Sequence, residues 1–79
     1  SSANSAKIKQ VKSPMPGLVL SISAEIGKEI KKDEPLLILE AMKMEQPLIA
    51  HRSGVISNLS AVIGETVSSG STLCDIIDA

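Results

Sequence analysis

The chain carries its own second copy. The stretch GLVLSISAEIGKEIKKDEPL (Gly17–Leu36) falls without a gap on GVISNLSAVIGETVSSGSTL (Gly54–Leu73), at an offset of 37 residues. Six of the twenty positions are identical: Gly17/Gly54, Ser23/Ser60, Ala24/Ala61, Ile26/Ile63, Gly27/Gly64 and Leu36/Leu73. Four more pair aliphatic with aliphatic: Leu18/Val55, Val19/Ile56, Ile22/Leu59 and Ile30/Val67. A chain built this way has to fold as two similar units. Each unit alone exposes an apolar face, and packing the two together buries it.

Each copy reads as short strands between turns. An alternating apolar run follows Gly17 or Gly54, then a turn at IGKE or IGET, a brief strand, a turn at KKDEP or SSGST, and a last apolar strand. Gly27 and Gly64 are placed to supply positive φ in the first of these turns. A strand at Ile8–Val11 and its counterpart near Met44–Ala50 bring the total to about eight. Short strands with closely spaced turns point to an all-β sandwich or barrel, its halves related by a pseudo-twofold axis. The half-repeats are expected at about 8–41 and 45–78, within one domain spanning 8–79. Residues 1–7 (SSANSAK) begin small, polar and without apolar pattern, and are expected to be a disordered linker or a cloning remnant.

Composition narrows the function. The 79 residues make one small domain. A chain of this size buries only about 60% of its unfolded surface, so its core has to be used well. It has no Phe, Tyr or Trp, which argues against stacked bases and other aromatic platforms. Its net charge of −1 offers no basic patch for nucleic acid or anionic lipid. One Cys excludes an internal disulfide and a thiolate metal site. No apolar run approaches the roughly 18 residues of a membrane span, so no direct membrane contact is expected. No nucleophile–base pair, phosphate loop or metal-ligand cluster is present, so neither catalytic nor metal-binding residues are assigned.

The midpoint is where chemistry enters. The stretch EAMKMEQ (Glu40–Gln46) lies between the aliphatic runs LLIL and PLIA and has no Gly, Pro, Asn or Asp. Taken alone, LLILEAMKMEQ favours helix, because Leu, Glu, Ala, Met, Lys and Gln are all good helix formers. Its repeat partner, the C-terminal LCDIIDA, is less helix-prone and follows the same turn, so Leu36–Ala41 is read as a strand. The two copies then join through a hairpin with Met42 and Lys43 at its tip. Such a turn normally calls for Asn-Gly or Gly-X. Met-Lys breaks that rule, and the register sets Glu40 against Glu45, a like-charge pair. Violations of this kind are expected where function overrides stability. The stretch looks built to project one amine from a fixed point, between two adaptable apolar methionines.

EAMKM resembles the attachment sequence of biotinyl domains, the biotin carboxyl carrier modules of biotin-dependent carboxylases. The resemblance covers about Ser13 to Asp78, with SPMPG near the start, EAMKM in the middle, and SGVI followed by GETV. It implies a flattened barrel or sandwich of two antiparallel sheets with the modified lysine at a hairpin tip. It also implies biotin joined by an amide to Lys43, with Ala41, Met42 and Met44 as the motif read by a separate biotin protein ligase. The cofactor would carry a carboxyl group between biotin carboxylase and carboxyltransferase partners. An acyl-CoA carboxylase of propionyl-CoA type is the first expectation, from the resemblance of VKSPMPGLVL; a pyruvate carboxylase or a biotin-dependent decarboxylase is the alternative. The compartment expected is bacterial cytoplasm first, or an organelle matrix. Some family members cover the biotin with an inserted thumb. Here SAEIGKE is no longer than its partner SAVIGET, so no thumb is expected.

Other readings stand beside this one. A lipoyl carrier has the same fold and a lysine in the same place, but lipoyl domains usually show an acidic residue before that lysine. A bare docking barrel gives no reason for an exposed MKM hairpin. Met44 could instead fold back on the core, and Glu40 and Glu45 could simply solvate strand ends. Cys74 reads as a small core residue and His51 as a solvated loop residue. Met15, Pro16 and Gly17 read as a tight turn that partner subunits could also contact. KIKQVK and KEIKKDE read as charged strand edges and turns, without a binding role.

Overall fold

The computed structural model describes residues 8–78, so the reading of residues 1–7 lies outside the described residues. Eight strands follow in order: β1 (Ile8–Lys12), β2 (Gly17–Ile22), β3 (Glu29–Ile30), β4 (Pro35–Ala41), β5 (Met44–Ile49), β6 (Gly54–Leu59), β7 (Thr66–Val67) and β8 (Thr72–Ile77). They form two four-stranded antiparallel sheets, ordered β1-β8-β6-β3 and β5-β4-β2-β7. Among the described residues no helix is long and apolar enough to cross a membrane.

The offset of 37 residues carries β1 onto β5, β2 onto β6, β3 onto β7 and β4 onto β8. It therefore carries one sheet onto the other, strand for strand. The halves are not the two layers. Each sheet takes two strands from the first copy and two from the second, so the copies exchange strands instead of only packing face to face.

The cores follow the same rule. One cluster contains Ala24, Ile30, Leu36, Ala50, Ile56, Cys74 and Ile76. The other contains Val19, Leu37, Leu39, Ala61 and Leu73, with Val67 packed against it. Ile56 answers to Val19, Ala24 to Ala61, Cys74 to Leu37 and Ile76 to Leu39. Each cluster draws on both copies. With no aromatic side chain available, the interior closes with branched aliphatic residues and alanines, Leu36, Leu39, Leu73 and Ile76 being fully buried.

Turns of one copy finish the strands of the other. The Gly27 N–H donates to the Ile56 carbonyl at 2.7 Å, and the Gly64 N–H to the Val19 carbonyl at 2.9 Å. Both glycines hold positive φ, 86° and 90°, as their turns require. The Asp33 N–H donates to the Ala50 carbonyl at 2.8 Å, as the Gly70 N–H does to the Ser13 carbonyl at 2.7 Å. Ser13 is buried, and its hydroxyl is satisfied by the Met15 carbonyl at 2.6 Å.

Candidate functional site

The hairpin between β4 and β5 forms in the expected register. Ala41 pairs with Met44, Glu40 with Glu45 and Leu39 with Gln46. Only Met42 and Lys43 lie outside the ladder, both with positive φ, 53° and 66°. Positive φ at both central positions is the conformation of a type I′ turn, whose twist matches that of the strands it joins. Met and Lys adopt it against their own Cβ sterics. The helix-forming composition of this stretch is overridden because Leu37, Leu39 and Ala41 alternate inward from β4 and are all buried.

The side chains at the turn point to solvent. Met42 is 95% exposed and Met44 64%, so neither packs into the core. Lys43 is exposed, and its amine enters no hydrogen bond or ion pair among the described residues. Ala41 is buried directly beneath them, so firm packing extends to the last ladder residue. Glu40 and Glu45 are exposed and face each other across the ladder, two residues from the turn. The four motif residues named from the sequence are thus brought together, three outside and one beneath.

The base of this hairpin lies far from its tip. β4 runs seven residues from Pro35 to Ala41, about 20 Å at strand rise. At the base Pro35 pairs with Ile49, and the Ala50 N–H donates to the Glu34 carbonyl at 2.8 Å. Arg52, in the loop that leaves β5, forms an ion pair with Asp78. The last described residue is therefore held at the base, and Lys43 projects from the other end of the ladder.

Residues 23–28 join β2 to β3 and residues 60–65 join β6 to β7, equal in length and without insertion. His51 is exposed in its loop. Cys74 is buried between the sheets, and burial first, then the neighbouring Asp75 charge, pushes its thiol up from 9.0 to about 11. A thiol of that kind is unreactive near neutral pH.

A donor set of one primary amine, displayed and unpaired, can form one bond to an activated carboxyl group. That suits a carboxylic cofactor attached by an amide, and the exposure of Met42, Lys43 and Met44 leaves the amine open to an enzyme that must reach it.

The chain matches the model of a family described as "Biotin-requiring enzyme" over residues 9–76. It is 35% identical over 74 residues to a biotin carboxyl carrier protein of Streptococcus mutans, covering 94% of this chain and 57% of that protein. It is 40% identical over 70 residues to a pyruvate carboxylase of Aspergillus niger, covering 89% of this chain and 6% of that one. Among solved structures it is similar to the lipoyl domain of the 2-oxoglutarate dehydrogenase complex from Azotobacter vinelandii. There the TM-score is 0.73 at 26% identity, over 89% of this chain and 95% of that one. The chain thus spans just over half of one of these relatives and a small fraction of another.

Proposed function

This chain belongs to the biotin-requiring enzyme family, and from that premise we propose that it is a biotin carboxyl carrier domain with Lys43 as its attachment point. The observation that carries the residue assignment is the Met42–Lys43 turn, where two residues accept positive φ and leave one amine without a partner among the described residues. The whole stretch from 8 to 79 is then the carrier unit.

When bound, biotin supplies a ring nitrogen that takes up and releases a carboxyl group. Everything else in the mechanism belongs to the chain. The β4–β5 ladder is a stiff base that fixes where the tether starts. The Lys43 stem adds flexible length, and tethering raises the local concentration of the cofactor at each site it visits. Amide formation removes the lysine charge and takes the formal net charge from −1 to −2. Met42 and Met44 offer an adaptable apolar surface on either side of the amine, suited to contact with a biotin protein ligase.

In this reading the domain serves a ligase-type carboxylase without catalysing a step itself. Its partners are the biotin carboxylase and carboxyltransferase domains or subunits, in the cytoplasm or an organelle matrix. The acceptor is chosen in the carboxyltransferase. The resemblance of VKSPMPGLVL favours an acyl-CoA acceptor of propionyl-CoA type over pyruvate.

The test is incubation of the folded chain with a biotin ligase, biotin and ATP, followed by intact and peptide mass. One biotin is expected, less one water. Trypsin then cannot cut after Lys43, so Asp33–Arg52 persists as a single peptide. Folded protein that gains no biotin, yet is modified by a lipoate ligase, would move the assignment to a lipoyl carrier, which shares this fold.

A further inference from the structure

We propose that the cleft between β1 and β5 is a docking site for an acidic, extended segment of a partner polypeptide, seated alongside β1. Among the described residues the two strands are the edges of their respective sheets, β1 pairing only with β8 and β5 only with β4. Between them lies a cleft of about 530 Å³. Val11, Leu48 and Ile76 give it an apolar lining, Lys9 and Lys12 contribute two cations, and Arg52 adds a third that is ion-paired with Asp78. No Asp or Glu is among the residues that line it, in a chain whose acidic residues outnumber its Lys and Arg by nine to eight. The charge is therefore concentrated beside an apolar surface, and a partner of opposite sign is favoured there.

The backbone selects the form of the partner and the side on which it sits. Pro47 stands in the middle of β5 and has no N–H, so β5 cannot offer a continuous ladder. β1 (IKQVK) contains no proline, and among the described residues its backbone groups facing away from β8 are open to a further strand. Lys9 and Val11 share one face of β1, and the register shift between Val11 and Lys12 brings the second lysine to the same cleft. A strand with carboxylates alternating with aliphatic side chains matches this arrangement. Arg52 also lines this cleft, with Asp78 engaging one of its terminal nitrogens. By sequence alone KIKQVK is a charged edge without a binding role; the fold sets its lysines opposite the apolar groups of β5.

The proposal does not depend on Lys43, so it is tested on the unmodified full chain with Lys43→Arg. The ¹⁵N-labelled protein is titrated with a short, end-blocked peptide of alternating Glu and Val. Saturable amide shifts are expected along Lys9–Lys12 and Leu48–Arg52, with half-saturation at or below about 1 mM. They should weaken several-fold as salt rises to physiological strength, and Lys9→Gln with Lys12→Gln should reduce affinity at least tenfold while leaving the remaining spectrum folded. The proposal fails if no saturable shift appears, if a Lys/Val peptide binds equally well, or if the shifts fall on residues 41–45. It also fails if inorganic phosphate alone moves the same amides as strongly, since the site would then be one for small anions.

Discussion

Met42 and Lys43 both adopt left-handed backbone conformations, at φ 53° and 66°, in the turn that joins Ala41 to Met44. Neither residue type is suited to that geometry, which costs of order 1 kcal/mol at each. Met42→Asn with Lys43→Gly should therefore raise unfolding free energy by about 1–2 kcal/mol, because Asn-Gly fits the turn. Urea denaturation followed by far-ultraviolet circular dichroism checks this. With Lys43 as the proposed attachment point, the same variant should take no biotin. Lys43→Arg, by contrast, should leave stability unchanged within about 0.5 kcal/mol, as expected for a displayed surface residue, and also take none.

Two glycines are required for close approach. A Cβ on Gly17 would stand 2.8 Å from the Glu40 carbonyl oxygen, and one on Gly54 would collide with the Ile77 carbonyl and lie 2.6 Å from Ile76 Cγ2. Backbone cannot yield as a side chain can. Gly54→Ala is expected to cost about 3 kcal/mol and Gly17→Ala less, about 1–2 kcal/mol. Chemical denaturation of the two variants side by side gives the ranking, and equal costs would contradict it.

Cys74 predicts a pH dependence. Its thiol holds its proton up to about pH 11 when folded, against 9.0 for an exposed thiol. Between those values the unfolded chain has lost the proton and the folded chain has kept it, so stability falls as pH rises. The loss is on the order of 2 kcal/mol across the window. Stability of the wild type minus that of Cys74→Ala should be flat below about pH 9 and decline above it. In the native protein near pH 8 the thiol should resist alkylation that proceeds freely in denaturant.

The two core clusters should unfold as one. Leu39→Ala and Ile76→Ala remove equivalent, fully buried side chains from different clusters, and each should cost about 2–5 kcal/mol. Hydrogen exchange in either variant should weaken protection in β2 and β6 alike, because each cluster holds residues of both copies. Protection lost in one sheet alone would contradict this.

Much of this was legible from the repeat. It fixes the eight strands, the positive φ at Gly27 and Gly64, and the hairpin register that sets Glu40 against Glu45. Strand exchange was not legible, because internal similarity states which segments correspond and is silent on which ones pair. Asp33 was missed for a local reason: it holds φ 75°, matching Gly70 at 87°, but Asp does not announce a left-handed turn as Gly does. Gly17 and Gly54 could be read only as residues after turns, since the carbonyls that crowd them come from β4 and β8. The cleft between β1 and β5 was invisible for the same reason. Its two walls are about forty positions apart, and neither wall by itself looks like a site.

The exchange of strands also bears on the chain's one covalent crossing. Met42–Lys43 is where the first copy passes to the second, and no sheet is made by a single copy. A cut at that peptide bond leaves two fragments, each lacking half of both sheets, that can complete themselves only with each other. The domain is thus a natural split pair, with Lys43 at the seam: co-expressed halves should reassemble, and either half alone should remain unfolded.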